Sequence, residues 1–126
     1  MNQEEFIAAI KVAVHDSAIK GMKSVLASPP GRNPHEKTKE TSLWFNSLPE
    51  EDKQQVEEII KQSVHASIFG FLSVIDGVRA IESTPEKGNL ELIFNKDGKK
   101  TLINEPQGEM LHDTYQSLVQ AEVFED

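Results

Sequence analysis

The spacing of apolar residues divides the chain into helical and extended stretches. Over residues 3–27, Ile7, Ile10, Val14 and Val25 fall near one face at helical period. A second stripe, Val12, Ile19, Met22 and Leu26, follows the same period and takes in His15. A helix apolar over so wide an arc calls for two neighbours, or for one neighbour and a second copy of the chain. Ala9, Ala13, Ser17 and Gly21 recur every fourth residue, a row small enough for another helix to approach closely. Pro29, Pro30 and Pro34 cannot continue the helix, and they predict a long polar loop at about 28–41.

Ser47 and Glu50 then have the S-x-x-E form of a capping box around Pro49, which a first helical turn tolerates. The helix they open is predicted to run to about Ile75, with Val56, Ile60, Ser63, Ser67, Phe71 and Val74 at three-and-four spacing. Its small residues Ser63, Ser67 and Gly70 complement the row on the first helix, so the two are expected to form a close antiparallel pair. Beyond Val64 the second helix is apolar on all sides, which predicts a buried C-terminal half. Asp76-Gly77 ends it.

Three strands are expected next, "VRAIE", "LELIFN" and "TLIN". Asp97-Gly98 joins the last two as a hairpin, because both central residues of a type I′ turn need positive φ. A last helix, from about Glu109 to Glu122, would face inward with Leu111, Tyr115, Leu118 and Val119. The predicted fold is α+β: two long N-terminal antiparallel helices, a three-stranded antiparallel meander, and a C-terminal helix packed on one sheet face. Residues 1–126 suit a single domain.

Composition narrows what such a domain does. Cysteine is absent, so disulfides, thiolate metal ligation and thiol redox chemistry are excluded. The opening "MNQEEFIAAI" carries two glutamates where a secretion signal would carry positive charge. The most apolar run, "VHASIFGFLSVIDGV", is shorter than the roughly 20 residues of a membrane span. These features predict a soluble cytoplasmic protein. The net charge of -8 is uneven: residues 1–40 hold six basic against five acidic side chains, residues 41–126 seven against sixteen. Such a balance opposes nucleic-acid binding, which rests on Lys and Arg, and suits a basic protein partner.

Catalytic signatures are sparse. There is no phosphate-binding glycine loop, no G-x-S-x-G, and no pair of histidines at the i, i+4 spacing of a helical zinc site. No cofactor or resident metal is expected. His15-Asp16 and His112-Asp113 are adjacent pairs, but neighbours on a helix point about 100° apart, so neither is expected to form a relay. His112-Asp113, with His65 upstream and Asp126 downstream, resembles the ligand set of the HD-domain metal phosphohydrolases. That resemblance implies a divalent metal held by His65, His112, Asp113 and Asp126. The family is all-helical and normally longer, whereas here a hairpin separates the ligands.

The leading expectation is therefore a non-catalytic, stoichiometric protein-binding protein: an inhibitor, an immunity-type protein or an adaptor. Its acidic surface would be Glu50, Glu51, Asp52, Glu57 and Glu58, with Trp44 and Phe45 as anchors beside the 28–41 loop. The alternative is a small enzyme or ligand-binding protein whose pocket, between sheet and helices, gathers Arg79, His112 and Tyr115. A homodimer through the 12–26 stripe of the N-terminal helix is compatible with either.

Overall fold

The computed structural model describes residues 1–125, and its architecture is mixed helix and antiparallel sheet. The N-terminal rod begins at α1 (Gln3–Ile10), where Asn2 and Glu5 form a capping box: Asn2 Oδ1 accepts from the Glu5 N–H at 2.8 Å. It continues through a π-helical segment (Lys11–Asp16) into α2 (Ser17–Ala27). The π segment decides which face is buried. Ile7 and His15 would stand about 80° apart on an uninterrupted α-helix at 100° per residue. The slower winding of i→i+5 bonding brings both to full burial, 0% exposed each.

That rotation redistributes the two expected stripes. Ile7, His15, Ile19 and Leu26 face inward, while Val12, Val14 and Met22 are exposed. The row of Ala9, Ala13, Ser17 and Gly21 lies on the outer side, as do Ser63 and Ser67, so small residues do not mediate the helix pairing. Gly70 alone of the complementary set is buried, with the Arg79 guanidinium lying over it.

Residues 28–41 are not one loop. A short turn leads into α3 (Glu36–Asn46), which carries Trp44 and Phe45. This helix buries only Ser42 and Phe45, so it has no apolar stripe that periodicity could detect. Its attachment is polar instead: Ser42 Oγ donates to the Leu26 carbonyl at 2.7 Å, and Asn46 Nδ2 to the Ala27 carbonyl at 3.2 Å. Two side chains of α3 thereby satisfy carbonyls that the end of α2 leaves free.

The capping box expected at Ser47 and Glu50 does not form. Ser47 closes α3, its hydroxyl donating to the Trp44 carbonyl, and Pro49 is the uncapped N-cap of α4 (Glu50–Ile75). The Lys23–Glu57 ion pair at 3.7 Å joins the end of α2 to the first half of α4. Phe6 and Ile10 of α1 line one groove with Phe71 and Ile75 near its other end, so the rod and α4 run antiparallel. The C-terminal half of α4 is not wholly buried: Leu72 is enclosed, but Phe71 is 67% exposed.

Gly77, at φ +79°, ends α4. The sheet has two strands, not three: β1 (Ile93–Lys96) and β2 (Lys99–Leu102), with Ile93 opposite Leu102 and Lys96 opposite Lys99. The turn is as its residues demand, with Asp97 at φ 53° and Gly98 at φ 78°. "VRAIE" belongs to an extended, exposed excursion across residues 78–91. Asn104 pins both of its ends: Nδ2 donates to the carbonyls of Ile75 (3.1 Å) and Leu90 (2.8 Å), and Oδ1 accepts from the Leu92 N–H (2.8 Å).

The last helix, α5 (Leu111–Phe124), packs along α4 and α1. Leu111, Tyr115, Val119 and Val123 turn inward, and the expected Leu118 is 49% exposed. With Ile7, Leu72 and Ile103 they make the core, flanked by Phe6, Ile68, Phe69, Ile75, Leu92 and Phe94. Among the described residues no helix is long and apolar enough to cross a membrane.

Candidate functional site: a closed histidine network and an open acidic tip

The π segment aims Lys11 and His15 at two side chains of α5 and sets Asp16 against Lys11. His15 Nδ1 lies 2.7 Å from the Tyr115 hydroxyl, and Nε2 lies 3.0 Å from Glu122 Oε1. An ionised carboxylate only accepts, so Nε2 donates to Glu122; in the neutral imidazole the Tyr115 hydroxyl donates to Nδ1. Lys11 Nζ bridges Asp16 Oδ1 at 3.0 Å and Glu122 Oε2 at 3.2 Å.

These contacts shift the groups they join. Burial above all, then the negative charges of Glu122 and Asp16, push the Tyr115 phenol far above its ordinary range. Burial pushes the Glu122 carboxyl up, but hydrogen bonds from His15 and Lys11, with the Lys11 charge, outweigh it and hold the carboxyl low. The hydrogen bond to Asp16, reinforced by Glu122, raises Lys11.

One donor atom each from His15, Asp16 and Glu122 lies within 4.8 Å of the others, a spacing that suits a metal ion. The Lys11 ammonium already stands between the two carboxylates, and both nitrogens of His15 are engaged. Among the described residues no buried side-chain nitrogen or oxygen lacks a partner. His15 is thus fully engaged inside the network, while Asp16 and Glu122 keep part of their surface on an open cavity that Lys20 and Lys23 also line.

A row of rings continues from it. His65 stacks between Tyr115 and Phe69, with centroids 5.6 Å from each, and its Nε2 meets Gln116 Oε1 at 2.6 Å. Phe69 meets the edge of His112 at 5.2 Å. His112 Nδ1 bonds Asp76 Oδ2 at 2.6 Å, and the same carboxylate accepts the backbone N–H groups of Leu111 (3.0 Å) and His112 (2.9 Å). The residue that ends α4 thus caps the start of α5.

The relay partner of His112 is Asp76, a residue that adjacency does not suggest. Asp113 nevertheless approaches it, with Oδ1 3.4 Å from Nε2, which corrects the expectation that this pair does not face. His15 does turn away from Asp16, toward Tyr115 and Glu122. The phosphohydrolase-like set is not assembled: His65 is held by Gln116 and His112 by Asp76, and Asp126 lies outside the described residues.

The alternative pocket triad also disperses. Arg79 lines an open cavity of about 530 Å³ with Asp76, Lys87 and Asn104. Tyr115 is fully buried with its hydroxyl on His15, and His112 belongs to the α5 cap.

The acidic surface divides in two. Glu57 pairs with Lys23 and Glu58 with Lys61, both half-buried. Glu50, Glu51 and Asp52 stand exposed in the first turn of α4, and among the described residues none of them joins an ion pair. On the preceding helix α3, Trp44 is 53% and Leu43 73% exposed. Phe45 is a core residue, 6% exposed, with Lys53 Nζ 5.8 Å from its ring centroid, so it is no surface anchor. Helical spacing in "SLWFN" places the Leu43 side chain about 200° from Phe45, on the opposite face, so burial of Phe45 leaves Leu43 outward.

Comparison with protein-family models, with curated proteins and with solved structures gives no match to this chain.

Proposed function

We propose that the chain is a stoichiometric protein-binding protein, of inhibitor, immunity or adaptor type, that takes a basic partner at the α3–α4 junction. The observation that carries this reading is the tip itself. Two large apolar side chains, Leu43 and Trp44, lie exposed near the end of α3. The first turn of α4 that follows carries three exposed carboxylates that join no ion pair among the described residues. Trp is enriched among interface hot spots, and a ring of like charge steers an oppositely charged partner.

The test is a gentle native pull-down compared between the wild type and a Glu50→Lys, Glu51→Lys, Asp52→Lys variant. A basic protein recovered in equal amount, released by salt and lost from the variant, is the expected result. Equal recovery by both proteins would remove the acidic tip from the argument.

A further inference from the structure

The cavity of about 530 Å³ that Arg79 lines opens at the C-terminal end of α4, the far end of that 26-residue helix from the acidic tip. Its volume falls in the range of roughly 300–1,000 Å³ that holds small ligands. The excursion that bounds it is tied down at both ends and across its middle. The Val78 and Arg79 N–H groups donate to the Ser73 carbonyl at 3.1 and 3.2 Å, and Asn104 Nδ2 takes the Leu90 carbonyl at 2.8 Å. Between them the Gly88 N–H donates to Glu82 Oε1 at 2.8 Å.

Four charged side chains line the cavity: Asp76, Arg79, Glu82 and Lys87. Both carboxylates are already engaged within the chain. Asp76 accepts from the Leu111 and His112 backbone and meets the His112 ring, and Glu82 accepts from Gly88. Neither cation, Arg79 or Lys87, joins an ion pair among the described residues. The Arg79 guanidinium is laid against α4 at buried Gly70, in space that a Cβ at this position would occupy. The rest of the lining is largely apolar, yet Ile81 is 68%, Leu90 46% and Met110 43% exposed.

We infer that this cavity binds a small amphipathic anion, with Arg79 and Lys87 taking its carboxylate or phosphate head and Ile81, Leu90 and Met110 covering its apolar body. The charge on the lining sets the sign of the ligand, because only its cations are left to pair. A guanidinium presents a planar fork of donors that matches an oxyanion, and a lysine adds a point charge. A cationic ligand would meet like charge there, and a neutral one would leave both cations unmatched. Exposed apolar side chains gathered around one cavity mark a place where an apolar body is bound. No residue of the acidic tip takes part, so the inference stands whatever binds at that tip.

Calorimetric titration of the full chain, with amide chemical shifts to locate binding, tests this. The probes are octanoate and octyl phosphate, set against octanol and octyltrimethylammonium, all below their micelle concentrations. At least one anion should bind one to one and shift the amides of residues 79–90 and 104–110. The tighter of the two tells a carboxylate head from a phosphate head. Octanol and the ammonium should bind weaker by roughly 10-fold or more, the worth of a hydrogen bond to a charged group. Arg79→Gln, at an exposed position, should keep the far-ultraviolet circular dichroism and lose a similar factor for the anion. Gly70→Ala leaves the lining unchanged but puts a methyl group where the guanidinium lies, and it too should weaken the anion while α4 stays helical. The inference is overturned if neither anion binds, if octanol binds as tightly, or if folded Arg79→Gln binds the anion as the wild type does. Shifts confined to the apolar groove around Val14 and Phe71 overturn it as well.

Discussion

Replacing Asp76 by alanine removes a carboxylate that three N–H groups share. Its side chain is 3% exposed, and it accepts from the Leu111 and His112 backbone and from His112 Nδ1. Loss of a helix N-cap costs about 0.5–2 kcal/mol, and a hydrogen bond to a charged group contributes about 1.5–3 kcal/mol. The terms overlap, because one carboxylate serves all three donors, and together they amount to about 3 kcal/mol. Water offers little relief, since Leu111 is fully buried. For a 126-residue domain each kcal/mol lowers Tm by about 4 °C, so the drop should be about 12 °C.

Asp76→Asn keeps one acceptor oxygen but gives up the charge, and it should lose about half as much. Urea unfolding gives the free energies, and hydrogen exchange should show the Leu111 and His112 amides exposed first. His112→Ala should cost at least about 1 kcal/mol less in the Asp76→Ala background than alone. A variant within about 1 kcal/mol of the wild type, with no such coupling, would refute the inter-helix cap.

Other perturbations follow the same logic. The Glu122 carboxyl is held below its ordinary 4.5, so its contribution to stability is present above pH 4.5 and lost as pH falls through the lowered value. Glu122→Gln should therefore flatten the acid limb of urea midpoint against pH. Lys11 is raised above 10.5 and Tyr115 above 10.0, so stability present below those values declines as pH climbs through the raised ones, which alkaline unfolding measures. Tyr115→Phe leaves buried His15 Nδ1 without its partner and should cost about 1–3 kcal/mol in the same assay. Gly98→Ala forces a Cβ into a backbone at φ 78° and should cost about 1–2 kcal/mol by thermal unfolding. Ser42→Ala frees the Leu26 carbonyl and should cost about 1 kcal/mol, with exchange rising first across α3.

At three places local physics let the sequence by itself determine the outcome. Pro29 and Pro30 stop the N-terminal rod just past Ala27, since neither has an N–H to continue it. Asp97-Gly98 makes its hairpin because the turn asks only for two residues that accept positive φ. The helix of residues 50–75 stops where Gly77, two residues on, takes a positive φ that other residues resist.

Tertiary structure alone decided the rest. Helix α3 is held by hydrogen bonds to the carbonyls of another helix, so its own residues read as polar loop. "VRAIE" has strand-forming residues but no partner strand, and a strand is stable only as half of a pair. The π segment rotates His15 from a stripe shared with Val12 onto the face of Ile7, where Tyr115 and Glu122 receive it. Asp76 finds its donors 35 and 36 positions along the chain, and His15 finds Tyr115 at a distance of 100. A side chain's partner is set by where the helices pack, and adjacency in sequence carries no record of it.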